Sequence, residues 1–236
     1  MKNVLRIAHL YPNLLNIYGD IGNIKALRCR AEWRGIDVLT DEVNPDSVDI
    51  QEHDIYFIGG GQDVQQIEVS HHIQKHKEFL TRERDRGAVF LGICGGYQLM
   101  GHYYKPHNGD ILQGISLLDA HTVAGNKRFI GNVTVGTSYD FSPTLVGFEN
   151  HSGLTYLEGD TIPLGHVIIG NGNNGEDKTE GARYKNVFGT YLHGSFLPKN
   201  PKFTDYLLEL ALGEKLAELD DSIELNAHGS LINKKY

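Results

Sequence analysis

Cys94 combines a reactive side chain with neighbours suited to a sharp turn. It stands among three glycines, after residues 88–91, an apolar run of strand length, and before residues 97–101, whose apolar side chains have helical spacing. A strand that turns into a helix around one reactive side chain is a nucleophile elbow. Glycines tolerate the backbone angles of such a turn, and the helix N-terminus favours negative charge on sulfur. The pattern predicts a thiolate nucleophile.

A cysteine nucleophile needs a base, and His193 is the best placed of the twelve histidines. It ends the apolar run 187–192 and is followed by Gly194, so we expect it at the carboxyl edge of a sheet, near Cys94. The alternatives are a strand-end histidine bonded to backbone and a cysteine that only packs in the core. Cys29 lies in a plain helical pattern without glycines, which favours a packing role.

Three consecutive glycines, residues 59–61, end the strand predicted beside the Cys94 strand. Backbone amides of Gly60, Gly61 and Gly95 are therefore predicted to form an oxyanion hole, where each donor is typically worth ~10²–10³ in rate. The alternative is a phosphate-binding turn. The chain has neither G-x-x-x-x-G-K-[ST] nor G-x-G-x-x-G, so nucleotide binding has no support.

Strands alternate with helices through the first hundred residues, which predicts a parallel, doubly wound α/β sheet with its site at the carboxyl ends of the strands. After Gly101 strand-like pieces dominate, and they predict antiparallel additions at one edge of this flavodoxin-like fold. The predicted strands of the first part are 4–10, 36–40, 54–58 and 88–91. Those of the second part are 120–123, 128–136, 144–149, 167–170 and 186–192.

Turn and cap residues refine this picture. Asp20 or Asn23 is predicted to cap the first helix, which runs to about Arg34. The glycine- and asparagine-rich loop 170–177 is predicted to be mobile.

We divide the chain into a main domain, residues 1–213, and a C-terminal extension, residues 214–236. The extension is predicted to dock through a short helix that carries Leu216, Leu219 and Ile223.

The composition of the chain limits which functions are plausible. The chain has 236 residues, 40% of them hydrophobic, and a formal charge of −8, which gives a nucleic-acid partner no electrostatic support. Two cysteines in different contexts suggest reducing surroundings. No signal peptide or membrane span is visible, so we expect a cytoplasmic protein. His71, His72 and His76 share a helix but lack a recognisable metal motif, so we expect a solvated face and no metal.

Two motifs together resemble those of class I glutamine amidotransferases in the cobyric-acid-synthase-like branch. They are GICGGYQ at 92–98 and YLHG at 191–194. Within that branch, segments 15–23, 59–63, 147–153 and 193–201 resemble the glutaminase subunits of lipid II isoglutaminyl synthases. The resemblance covers nearly the whole chain, and its motifs are specific in combination.

The resemblance implies a chemistry for the candidate residues. Cys94 attacks the side-chain amide of glutamine, His193 shuttles the proton, and a glutamyl thioester is hydrolysed to glutamate. Arg128 matches a position that binds glutamine, where a guanidinium suits a carboxylate, although a surface salt bridge is the ordinary alternative. Gln98 either shapes the pocket or packs inside the elbow helix.

One position departs from the pattern. Many class I amidotransferases carry a glutamate two residues after the catalytic histidine, and Ser195 occupies that position here. We therefore hypothesise that a carboxylate from a partner subunit completes the triad.

The same resemblance implies that partner. It is an ATP-using, Mur-ligase-like subunit that binds ATP and magnesium and amidates the D-glutamate α-carboxylate of the lipid II stem peptide, in peptidoglycan synthesis. This chain itself would need no cofactor. Alternatives are a glutaminase for another acceptor such as a corrinoid, a cysteine peptidase, and a scaffold of the same fold without activity.

Overall fold

The computed structural model describes residues 4–46 and 49–232. None of the helices in this part of the chain has the length and apolar character needed to cross a bilayer. The strands of the described residues, β1–β12, are Val4–Leu10, Asp37–Val43, Ile55–Ile58, Val89–Ile93, Tyr103–Lys105, Leu112–Gln113, Ala120–Gly136, Thr144–Leu157, Gly165–Ile169, Thr179–Glu180, Ala182–Tyr184 and Val187–Thr190. Their α-helices, α1–α6, are Ile21–Glu32, Asp63–Ile73, Lys77–Arg86, Gly95–Met100, Pro201–Leu212 and Ser222–Leu231.

The first sheet has the strand order β11-β12-β4-β3-β1-β2. All its neighbours run parallel except the edge strand β11, which is antiparallel to β12. The central strands β3 and β4 are buried at every position, as expected for parallel strands covered on both faces. The predicted α/β class, a mostly parallel sheet with an antiparallel edge, is confirmed.

Most strands after residue 101 form a second sheet, ordered β10-β9-β7-β5-β6, with β8 paired to β7. Here the predicted boundaries are too short. The predicted pieces 120–123 and 128–136 are one strand, β7, whose pairing with β8 shifts register between Ala124 and Phe129. Such a bulge interrupts the alternation of side chains without ending the strand. Strand β8 likewise continues past residue 149 to Leu157.

The loop 170–177 is tied down, against the predicted mobility. Asn173 and Asn174 are buried, and their side-chain amides donate to the carbonyl of Gly181 (2.9 Å) and to Asp177 (2.6 Å). Glu149 accepts the backbone amide of Asn171 (3.0 Å). Asparagine and glycine favour turns, but buried asparagine amides also supply the hydrogen bonds that hold a turn in place.

The C-terminal helix begins later than predicted. Leu216 and Leu219 lie in irregular chain before α6, and Ile223 is 79% exposed rather than docked. Leu216 nevertheless packs against the hydrophobic core, and a buried polar contact also holds this segment. Asp221 accepts from Arg30 (2.7 Å), and residues 233–236 of the predicted extension, like residues 1–3, lie outside the described chain.

Substitution of Arg30 tests how much this polar contact stabilises the fold. It bonds Asp205 (2.6 Å) and Asp221 (2.7 Å), and all three side chains are largely shielded from water. Removing one member of a buried ion pair typically costs ~3–5 kcal/mol because a charge is left uncompensated. Arg30→Ala is expected to lower the free energy of unfolding, measured in urea, by about 3 kcal/mol. This value is at the lower end of that range because Lys202 still pairs with Asp221.

Arg28 on the same helix provides the control. Both side chains of its ion pair with Glu32 are exposed to solvent. Such i,i+4 pairs contribute roughly 0.3–0.5 kcal/mol to the free energy of unfolding. Equal destabilisation by Arg28→Ala and Arg30→Ala would contradict the anchoring role of the buried network.

Candidate active site

Cys94 lies at a strained turn between β4 and α4. Its φ is 49° and its ψ is −104°, which a residue with a Cβ adopts only under constraint. The amide of Cys94 donates to the carbonyl of Thr190 (2.9 Å), and its own carbonyl accepts from the amide of Gln98 (2.9 Å). The residue is thus anchored to β12 on one side and to its own helix on the other.

Packing explains the glycines beside Cys94. A Cβ added to Gly92 would lie 2.5 Å from Cε of Met100, and one on Gly96 would lie 2.3 Å from the carbonyl oxygen of Ile58. The second contact is with a backbone atom of Ile58, which cannot move aside as the end of a side chain can. The elbow therefore requires glycine at residue 96 so that α4 can approach the neighbouring strand.

His193 meets Cys94 at the carboxyl edge of the first sheet. An ideal Cβ built on Gly60 would lie 3.0 Å from Cε1 of His193 and 3.5 Å from Cβ of Cys94. The His193 imidazole and the Cys94 side chain are thus neighbours, because each residue follows one of two adjacent parallel strands, β12 and β4. The His193 backbone is fixed because its amide donates to the carbonyl of Phe148 (2.8 Å).

The environment of His193 keeps the imidazole neutral. Burial lowers its pKa to about 3, and the nearby His151, Arg128 and Lys199 act in the same direction. A neutral imidazole retains the lone pair that a base needs to take a thiol proton.

Glu180 supports the strand that leads to His193. It is buried, and its carboxylate accepts from the hydroxyl of Thr190 (3.0 Å) and from the amide of Tyr191 (2.8 Å). Burial raises the pKa of Glu180 to about 7. Sequence reasoning missed this residue, because only the fold brings residue 180 beside residues 190 and 191.

A cavity of about 360 Å³ opens directly onto Cys94. Gly61, Gln98 and Arg128 also line it, so three further predicted site residues meet there. Arg128 is exposed at its edge, and its Nε donates to Oδ1 of Asn150 (2.6 Å). The guanidinium keeps further N–H groups for a carboxylate ligand, since it carries five donors.

Neutral polar side chains line this cavity beside Arg128. They are Gln66, Gln98 and His151. His151 lies 2.8 Å through Nδ1 from the carbonyl of Gly153, which assigns the proton to Nδ1 and leaves Nε2 as an acceptor. Burial lowers the pKa of His151 to about 4, so it stays neutral. Oε1 of Gln66, Oε1 of Gln98 and Nε2 of His151 are themselves buried and have no hydrogen-bond partner among the described residues.

The three predicted oxyanion glycines differ in their surroundings. The amide of Gly61 lies 3.2 Å from the Cβ position on Gly95, so the backbones of these two residues adjoin. The amide of Gly60 instead donates to Oδ2 of Asp20 (2.6 Å) and is engaged in this structure.

Asp20 and Asn23 do not cap α1 as predicted. Asp20 occupies the N-cap position, but its side chain makes no capping bond within the described chain, because it turns to Gly60 instead. Oδ1 of Asn23 accepts the amide of Leu197 (2.8 Å). The signal available in the sequence was an aspartate between two glycines in the segment 19–22, which a helix cap explains equally well.

Ser195 holds a neighbouring loop. Its hydroxyl donates to the carbonyl of Gly19 (2.6 Å). It offers no carboxylate to His193. Glu149 accepts the amides of Asn171 and Gly172 and thus supports the loop 170–177.

Comparison with known proteins identifies the family. Residues 6–201 match the CobB/CobQ-like glutamine amidotransferase domain. The chain is 44% identical to a Staphylococcus aureus (strain N315) protein named lipid II isoglutaminyl synthase (glutamine-hydrolyzing) subunit GatD, over 98% of this chain and 96% of that protein. It is 41% identical to the protein of the same name from Streptococcus pneumoniae (strain ATCC BAA-255 / R6), over 98% and 88%.

A solved structure agrees with the fold. A crystal structure of a glutamine amidotransferase superposes with a TM-score of 0.58 at 14% identity, over 86% of this chain and 98% of that one. At that identity the likeness concerns the fold alone, whereas the domain match and the full-length relatives concern the family. The chain belongs to the CobB/CobQ-like glutamine amidotransferase family.

Proposed function

We propose that this chain is a glutaminase, which hydrolyses L-glutamine to glutamate and ammonia through a thioester at Cys94. The observation that carries the proposal is the convergence of the Cys94 thiol and the neutral His193 imidazole beside a cavity edged by Arg128. A core cysteine would need neither the strained elbow nor access to a cavity.

The cavity has the polarity that a free amino acid with a side-chain amide needs. Arg128 at the edge suits the α-carboxylate by charge-assisted hydrogen bonds. The polar side chains of Gln66, Gln98 and His151, which also line the cavity, suit the α-ammonium and the amide NH₂ of glutamine. A peptide chain has no free α-carboxylate at an internal residue, so this arrangement favours glutamine over a peptidase substrate.

The proposed reaction uses the two residues in turn. Sγ of Cys94 bonds to the amide carbon while its proton passes to His193. The C–N bond then breaks as His193 returns the proton to nitrogen, which leaves as ammonia. A water molecule deprotonated by His193 cleaves the thioester, which releases glutamate and restores the thiol. The amides of Gly61 and Gly95 are the proposed donors to the oxyanion.

The proposed use of the ammonia follows from the relatives. Two proteins more than 40% identical over nearly this whole chain are named as subunits of lipid II isoglutaminyl synthase. We therefore assign to this chain delivery of ammonia to a cytoplasmic, ATP- and magnesium-dependent, Mur-ligase-like partner in a heterodimer. That partner would activate the D-glutamate α-carboxylate of lipid II and supply the carboxylate that Ser195 does not.

A second acceptor, such as a corrinoid, is the competing assignment. Co-purification with native partners, followed by assays with glutamine and with ammonia, separates the two. The proposal expects a ligase-like partner and amidated lipid II from either nitrogen source. Amidation of a corrinoid, or no release of glutamate by the complex, would contradict it.

Arg128 gives a direct test of substrate recognition. Arg128→Ala is expected to raise the KM for glutamine roughly 10- to 100-fold, since hydrogen bonds to charged groups contribute ~1.5–3 kcal/mol. The kcat is expected to change less, because Arg128 contacts the end of glutamine remote from the broken bond. Lys127→Ala, at the adjacent exposed position, is the control, and an equal rise in KM would argue against a specific carboxylate contact.

A further inference from the structure

Segment 16–23 contacts the glycine segment, residues 59–61, which follows β3. The backbone amide of Ile17 donates to the carbonyl of Gly60 (3.1 Å), and the amide of Gly60 donates to Oδ2 of Asp20 (2.6 Å). Both backbone polar groups of Gly60 are therefore engaged by the same short segment. A hydrogen bond to a carboxylate is the stronger kind, so Asp20 is the main restraint.

The same segment reaches the loop that follows His193. The Ser195 hydroxyl donates to the carbonyl of Gly19 (2.6 Å), and Asn23 accepts the amide of Leu197 (2.8 Å). Segment 16–23 thus connects the glycine segment 59–61, which contains predicted oxyanion donors, to the loop that follows the predicted base, His193.

Asp20 is placed deep within this junction. It is fully buried, and its Oδ2 lies 3.3 Å from the Cβ position on Gly60 that also approaches His193 and Cys94. Burial raises the pKa of Asp20 to about 7, and the hydrogen bond from the Gly60 amide offsets part of that rise. A buried carboxylate is costly, so this position calls for a role beyond filling space.

The bond to Asp20 occupies the amide of Gly60. The next amide, that of Gly61, adjoins Gly95 at the start of α4. Gly61 is closely packed on its other side, where a Cβ would lie 2.2 Å from Cδ2 of Leu15.

We infer that Asp20 is a positioning residue, which fixes the Gly60 peptide so that the amides of Gly61 and Gly95 form the oxyanion hole. Asp20 contacts neither glutamine nor the reacting atoms in this assignment. The inference rests on the proposed glutaminase function and deepens it.

The test compares Asp20→Ala, Asp20→Asn and the parent chain in the native complex. Asp20→Ala is expected to lower the kcat of glutamine hydrolysis by roughly 10²–10³, the effect of losing one oxyanion donor, with the KM changed only a few-fold. Asp20→Asn keeps an oxygen that can accept from Gly60, so it is expected to retain at least a tenth of the parent kcat, in order-of-magnitude terms.

Chemical labelling separates positioning from general damage. A chloroketone analogue of glutamine forms a tetrahedral oxyanion when Cys94 attacks it, whereas iodoacetamide reacts by direct displacement of iodide. For Asp20→Ala, we expect chloroketone labelling to slow in parallel with kcat and iodoacetamide labelling of Cys94 to stay within a few-fold of the parent. Equal slowing of both would overturn the inference in favour of a structural role.

Asp54→Asn is the matched control. Asp54 is also buried and also accepts a backbone amide, that of Arg6 (2.8 Å), but it lies before β3, at the other end of the strand from Gly60. We expect its kcat to match the parent. A parent-like kcat for Asp20→Ala would overturn the inference and leave the glutaminase intact, whereas a parent complex without glutamine hydrolysis would overturn the proposed function itself.

Discussion

Cys94→Ala is expected to abolish glutamine hydrolysis, with a loss on the order of 10⁴ or more in kcat, as for sites whose nucleophile and base act as a unit. The reason is geometric. The strained turn, the neighbouring imidazole and the cavity all serve one sulfur atom. A steady-state assay of glutamate release by the complex measures the effect. Cys94→Ser is expected to fall nearly as far, since a hydroxyl is a much weaker nucleophile near neutral pH.

Two controls define this result. Cys29→Ala removes the other, half-buried cysteine and is expected to leave the kcat unchanged. In the complex, amidation driven by added ammonia is expected to survive in Cys94→Ala, because ammonia bypasses the glutaminase site. Loss of the ammonia-driven reaction as well would contradict a role limited to supplying ammonia.

His193→Ala is expected to produce a loss of similar size, again on the order of 10⁴. Without the imidazole, neither the thiol proton nor the leaving nitrogen has a partner for proton transfer. Iodoacetamide labelling of Cys94 across a pH series provides a second measurement. We expect labelling near neutral pH to slow in His193→Ala. A variant that keeps more than about a tenth of the parent kcat would contradict the assignment of His193 as the base.

The protonation of His193 can be followed by the pH dependence of catalysis. An ordinary histidine base would lose activity as the pH falls through about 6.5. Burial lowers the pKa of His193 to about 3, so the base form persists as the pH falls through that range. Burial raises the pKa of Asp20 to about 7, so Asp20→Asn is used to remove its titration from this window. In that variant we expect kcat/KM to show no half-loss near pH 6.5 when it is measured from pH 7.5 to 5.

Local patterns predicted much of the fold and the sharp turn at Cys94. Strands β1 and β4 and the glycines around Cys94 carry their signals within a few residues, because strand periodicity and tight turns are set locally. The bulge in β7 was less visible, since Phe129 and its partner His151 resume pairing only after an unpaired stretch.

The residues that sequence reasoning missed become functional only through tertiary contacts. Asp20 looked like a helix cap because aspartate is common there, yet its carboxylate bonds Gly60, which is forty residues away. Glu180 similarly gains its role from contacts with residues 190 and 191 on another strand and its following residue. Whether a polar group is buried, and whether its hydrogen-bond partner is distant or missing, depends on the folded chain. Neither can be predicted from the spacing of residues in the sequence.

Intact-mass and peptide analysis after treatment with a chloroketone analogue of glutamine tests the central claim most directly. The account predicts one adduct, on Cys94, that glutamine suppresses and that His193→Ala forms much more slowly. An adduct on Cys29, or one on Cys94 that glutamine does not suppress, would contradict it.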